Sequence, residues 1–299
     1  MNTLISLVKR NIKLFFKDKG LFLTSLITPA ILLVLYISFL GNVYEDTFLM
    51  NIPNSEMLPE KLINGLVGSQ LISSILSVSC ITVAFCSNFL MVQDKANGSI
   101  KDLMITPVKP SVLALGYYLS TLISTLIICL TATAICLIYV AIIGWYLSIY
   151  DVLLLILDVF LLVMFGTAIS SIISYFLSSQ GQISAVGTIV SSGYGFICGA
   201  YMPISTFGNT LQKVLSFLPG TYGTSLVRNH SMNGALKALE DEGVSPELIN
   251  ELRDAMDLNL YFFDNEVKLS TMFLIVSVST LLLILSYVFI NKLKVKKNK

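Results

Sequence analysis

The sequence predicts an all-α integral membrane protein with six transmembrane helices and an N-terminal amphipathic helix lying at the interface. Three observations carry that class. Of the 299 residues only 12% are charged and 55% are hydrophobic, about half the charge of a typical soluble domain. Windows 21–44, 62–93, 111–150, 159–212 and 269–291 contain no Asp, Glu, Lys or Arg. A bilayer crossing needs about 20 such residues, so several windows hold two crossings. The basic residues, finally, gather on alternate connections, as they do when one side of a membrane retains them.

The elements follow in chain order. Residues 3–19 set Leu4, Leu7, Ile12, Phe15 and Phe16 on one helical face and Lys9, Arg10, Lys13 and Lys17 largely on the other. Such a basic amphipathic helix lies in the headgroup plane. The reading ends it at Gly20, so that 1–20 is a cytoplasmic amphipathic element and 21–42 the first span, kinked at Pro29. Residues 43–61 read as a polar loop and 62–92 as the second span. A charged inner loop, 93–110, precedes the third span, 112–144, which ends beside Trp145, Tyr146 and Tyr150, an aromatic cluster suited to an interface. Spans four and five, 152–177 and 183–202, are separated by the polar turn Ser178–Gln182. Residues 203–232, broken by Pro203, Gly208, Pro219 and Gly220, read as a re-entrant or interfacial segment within an outer region, 203–267. There Ser245 followed by Pro246 marks a helix start, and Leu248, Leu252, Ala255 and Met256 form its apolar stripe. The last span, 269–291, runs into a basic tail, 292–299.

With both termini in the cytoplasm, the inner segments hold 13 of the 19 basic residues and the outer segments 6. The N-terminal apolar stretch is longer than a signal-peptide core, and no small-residue cleavage site follows it.

The chemistry the sequence lacks is equally telling. No GxxxxGK[ST] phosphate loop is present, so no nucleotide-hydrolysing or other catalytic role is expected of this chain. Its five cysteines lie inside apolar segments with no CxxC pair and read as packing residues. The single His230 has no second metal-ligating partner in its segment and reads as solvated or packed. A net charge of +1 gives no reason to expect nucleic acid. One acid, Asp158, falls well inside a span. Intramembrane acids are functional candidates by default, so Asp158 either takes a structural partner or lines a substrate path.

Four stretches together resemble the ABC-2 type permeases, the membrane subunits of ATP-binding-cassette exporters. They are the basic helix leading into LITPAILLVL (26–35), the inner loop DKANGSIKDLMITPVKP (94–110), GAYMP (199–203) and LPGTYGTSLVR (218–228). In the inner loop Asp94, Lys95, Gly98, Ser99, Ile100, Leu103, Thr106 and Pro107 match the family pattern, while Ala96 and Lys101 stand where acids are usual. In the last stretch Pro219, Thr221, Tyr222 and Arg228 match, and Ser225 stands where Asp is common. The resemblance implies a type V exporter-like architecture: two permease subunits, identical or homologous, with ATPase subunits docked on the cytoplasmic side. ATP and magnesium would be bound by the ATPase, and no cofactor by this chain. The family's cargoes include drugs, peptides, lipids and polysaccharide precursors, and neutral polar side chains among apolar walls favour an amphiphilic or hydrophobic one.

Given such a partner, residues 94–106 are the expected contact. Ile100, Leu103 and Met104 fall at helical spacing, with Asp94, Lys95, Lys101 and Asp102 as a polar rim. Gly98 allows the bend, and the helix ends before Thr106 and Pro107. In the outer 203–228 segment, which holds Pro203, Pro219 and Tyr222, Arg228 is expected to anchor the end at headgroup level. Two other readings remain at this stage: a secondary carrier or channel, and a non-transporting immunity or sensor subunit in the cell membrane.

Overall fold

A computed structural model describes residues 2–51, 58–105, 108–263 and 265–297. It is helical nearly throughout. Helix α1 (Asn2–Lys17) buries Leu7, Asn11 and Phe15, spaced four apart, while Lys9, Lys13 and Lys17 stay exposed. The buried stripe packs on a later helix, where Gly116 lets the Leu7 side chain approach. The break after α1 is made by Asp18 rather than Gly20. Its carboxylate accepts the amides of Gly20 (3.0 Å) and Leu21 (3.1 Å) and so starts α2 (Lys19–Leu35), with Gly20 in the first turn.

Helix α2 runs through Pro29 and passes into one π-helical turn, Tyr36–Leu40, followed by α3 (Gly41–Asn51). The expected loop from residue 43 is therefore helical as far as Asn51, because Tyr44 and Phe48 lie one turn apart and both pack into the core. The middle of that expected loop, 52–57, lies outside the described residues, as do Thr106, Pro107 and residues 298–299.

Helix α4 (Glu60–Ala96) is the axis of the molecule, buried along nearly all of its 37 residues. A helix enclosed on every side needs small residues wherever neighbours press close. Here Gly65, Gly68, Ser69, Ser73, Ser77, Cys80 and Ala84 supply them. Around it stand α2, α6 (Pro110–Ile143), α7 (Ile149–Phe176), α8 (Gln180–Ile197) and α10 (Pro219–Asp241). The α6–α7 connection crosses so near the start of α4 that a Cβ on Gly144 would sit 2.4 Å from the Lys61 carbonyl. Ser148 and Asp151 cap α7 reciprocally, and Ser179 and Gln182 do the same for α8, which explains the polar turn between them.

A short α9 (Asn209–Leu215) precedes α10. Pro219 and Gly220 do not interrupt α10 but open it, since a first-turn proline gives up no helical hydrogen bond. Ser245 and Pro246 open α11 (Pro246–Ala255) as the sequence suggests, and Leu252 and Met256 are buried beneath it. A two-stranded hairpin, β1 (Tyr261–Phe262) and β2 (Asn265–Glu266), is an addition to the all-α expectation. Helix α12 (Leu269–Lys297) returns along α7, α10 and α6. The two ends of the bundle are called below the α1 end and the hairpin end.

Among the described residues five helical stretches are long and apolar enough to cross a membrane: Lys19–Asp46, Glu60–Ala96, Pro110–Ile143, Ile149–Phe176 and Leu269–Lys292. Helix α8, 18 residues and rich in Gly and Ser, is not among them. The five cysteines are buried and unpaired.

Candidate functional site

At the α1 end, the last turn of α4 braces three other elements. Arg10 of α1 donates to both oxygens of Asp94 (2.7 and 3.3 Å), and the Tyr117 hydroxyl of α6 donates to the same carboxylate at 2.6 Å. Asp94 is buried, and its carboxylate holds the Arg10 guanidinium above its usual pKa. Lys95 reaches the end of α7, donating to the carbonyls of Ser174 (2.7 Å), Tyr175 (2.6 Å) and Leu177 (3.2 Å). The Ser174 carbonyl also accepts the Leu177 amide at 3.3 Å, and a cation at a helix C-terminus is favourable. The structure thus turns Asp94 and Lys95 inward, away from the rim where the sequence placed them.

Beyond this brace Gly98 takes φ +80°, a left-handed backbone that glycine adopts without strain, and the chain turns into α5 (Ser99–Ile105). Ile100 is half-buried against the cluster of Met91, Tyr117 and Tyr287 and so faces the bundle. Leu103 is also half-buried, and the side chain of Met104 lies outside the described residues. The outward face carries Lys101, Asp102 and Ile105, the last 84% exposed. Ile105 escaped the sequence reading, because on a seven-residue helix periodicity alone does not say which apolar residue points out.

Between α2, α4 and α8 runs a groove of about 1070 Å³ that the sequence reading did not foresee. Ile27, Ile31, Leu35 and Phe89 give it apolar walls, while Thr24, Thr28, Gln93, Ser184, Thr188 and Ser192 add neutral polar groups. Asp18, at the α1 end, is the only charged residue in the lining. Tyr36 narrows the other end, its hydroxyl donating to the Ala200 carbonyl at 3.1 Å.

Asp158 is not part of this groove. It is buried where α7 meets α10, with Oδ2 2.5 Å from Nδ1 of His230, and its Oδ1 makes no hydrogen bond among the described residues. His230 is accordingly a packed histidine, and its partner lies 72 residues away in sequence. One turn on from His230 and two turns back from Asp158, Asn233 donates to Asp151 at 2.8 Å.

At the hairpin end Arg228 is 1% exposed, which corrects its expected place at the headgroups. It donates to the carbonyls of Met256 (2.6 Å) and Gly199 (2.8 Å) and faces Asp257 at 3.5 Å. Asp257 accepts in turn from the amides of Ile204 and Ser205. Burial raises the Asp257 carboxyl above its usual range, against the opposing pull of Arg228 and those amides. The knot ties the turn after α8 to α10 and to the end of α11. Within the same region Tyr222 donates to the Ser216 carbonyl, Pro219 opens α10, and Pro203 precedes a single 3₁₀ turn at Ile204–Thr206.

A family model described as ABC-2 type transporter matches residues 2–230. Comparison with curated proteins returns no match.

Proposed function

The chain belongs to the ABC-2 type transporter family, and from that premise we propose that it is the permease subunit of an ATP-driven exporter that moves an amphiphilic cargo out of the cell. In this reading α8 also crosses, as the fifth of six spans, both termini are cytoplasmic, and a second permease, identical or homologous, completes the pore. The ATPase subunit, which supplies ATP and magnesium, docks at the α1 end. The observation that carries the proposal is α5, a short helix set off by Gly98 that turns Lys101, Asp102 and Ile105 outward beside a brace linking α1, α4, α6 and α7. A push on α5 reaches α4 directly, and α4 is one wall of the groove. The groove has almost no charge, so a strongly charged cargo would lose its hydration there without gaining a counter-ion, whereas a neutral amphiphile would not.

Replacing Ile105 by Asp tests the docking surface. The variant should insert normally yet lose ATPase on co-purification, or hydrolyse ATP without transport. Normal transport with the ATPase still bound would put the coupling surface elsewhere. The secondary-carrier reading rests on the Asp158–His230 pair. Transport by the reconstituted chain without its ATPase, abolished by Asp158→Asn, would favour that reading instead.

A further inference from the structure

At the hairpin end a second cavity, of about 430 Å³, lies between α9, the start of α10 and the hairpin. Its size falls within the range of small-ligand sites, roughly 300–1,000 Å³. On and just beyond α9, Asn209, Gln212, Lys213 and Ser216, spaced three and four apart, line the cavity, with Asn209 and Lys213 exposed at its mouth; Leu215 is buried, while Leu211, Val214 and Phe217 are exposed. An exposed apolar patch beside a polar cavity marks a surface that meets lipid. The exposed rings of Phe217, Phe262 and Phe263 pack edge to face along the same rim, with centroids 5.0 to 6.1 Å apart. Exposed apolar rings clustered in this way extend that lipid-facing surface.

The cavity holds opposite charges. Lys213 Nζ lies 5.6 Å from the Phe263 ring centroid and pairs with no carboxylate among the described residues. Asp254 accepts from Asn259 (2.9 Å) and Tyr261 (3.0 Å), both through Oδ1, and among the described residues Oδ2 accepts from none. Gln212 donates its amide hydrogens to the Ser205 and Phe207 carbonyls and keeps Oε1 as a second open acceptor. From this combination we propose that the cavity binds the headgroup of a primary-amine phospholipid. Lys213 holds the phosphate, Asp254 Oδ2 and Gln212 Oε1 take hydrogens of the ammonium, and the acyl chains lie along Val214 and Phe217. The apolar rim is what selects a lipid over a free phosphoamine. Asp257 and Ile204 share this cavity with Lys213, so an occupant braces the knot that holds Arg228.

The test is native mass spectrometry of the purified permease titrated with phosphatidylethanolamine, phosphatidylcholine of the same chains, and soluble phosphoethanolamine. The amine lipid should bind about tenfold more tightly than the choline lipid, which has no N–H to donate to a carboxylate. Asp254→Asn keeps the Oδ1 acceptor and the fold but should erase that preference. Lys213→Gln, at an exposed position, should weaken both lipids alike, whereas Lys237→Gln should change neither. Equal binding of the two lipids by the unaltered protein, or a preference that survives Asp254→Asn, would overturn the proposal. Binding of soluble phosphoethanolamine as tight as that of the lipid would overturn the lipid assignment.

Discussion

Replacing Arg228 by Met leaves a chain of similar length in place of a guanidinium that is 1% exposed. Two carbonyls, of Met256 and Gly199, lose their donor, and Asp257, whose side chain is 5% exposed, loses its only nearby cation among the described residues. Breaking a buried pair from one side costs about 3–5 kcal/mol, most of it the penalty of the charge left behind. The damage falls on the knot, so the sensitive readout is hydrogen exchange at the Ile204 and Ser205 amides, which Asp257 accepts. At about 1.4 kcal/mol per decade, their exchange should quicken by about two to three and a half orders of magnitude. Asp257→Asn provides the second leg of a cycle. Residue 257 has φ +55°, a backbone that Asn tolerates and Ala does not, so the substitution removes charge without adding strain. In the Arg228→Met background it should restore part of the loss. The deficit should also shrink on acidification. Burial already raises the Asp257 carboxyl, and loss of Arg228 raises it further. The folded state then takes up a proton before the unfolded chain does, so the penalty begins to shrink as pH falls through the folded pKa and is gone only below the unfolded one. Unchanged exchange in Arg228→Met, or purely additive single substitutions, would refute the ionic account.

Asp94→Asn weakens the hold on Arg10 and Tyr117 and should cost about 1.5–3 kcal/mol, the range for a hydrogen bond to a charged group. Exchange of the α1 amides should rise while that of the middle of α4 does not; an unaltered α1 would mean that its buried Leu7 and Phe15 suffice. Single cysteines on a cysteine-free background give the sidedness. A membrane-impermeant reagent applied to intact cells should label Glu251→Cys and spare Lys101→Cys, and the reverse pattern would invert the orientation drawn from the basic residues.

The membrane class was legible because it depends on long sums: no soluble fold needs charge-free windows of this length. Boundaries were less legible where a local cue had two meanings. Pro219 and Gly220 read as a break, yet at the first turn of α10 they are a beginning. The polar residues after Val43 read as a loop, but Tyr44 and Phe48 extend the helix through core contacts that a local pattern does not display. The functional regions were legible only in part. Gly98 and α5 follow from adjacent residues, whereas Arg10 and Asp94 meet across 84 positions and Asp158 and His230 across 72. The groove belongs to the spacing of three helices and has no motif of its own.

The π turn at Tyr36–Leu40 bears on how this chain can change length. In an α-helix each residue advances by about 100°, so seven residues nearly close two turns. Counting seven from the buried Tyr36 gives Val43, yet Val43 is 44% exposed, and the rings that enter the core are Tyr44 and Phe48. The turn, closed by the Gly41 amide on the Tyr36 carbonyl, absorbs one surplus residue and restores the angular phase beyond it. A chain one residue shorter here would need no such turn and would present the same two rings to α4 on an unbroken helix. Length and facing are uncoupled at this position, whereas a single insertion or deletion elsewhere in α2 would rotate everything beyond it by a quarter-turn or more.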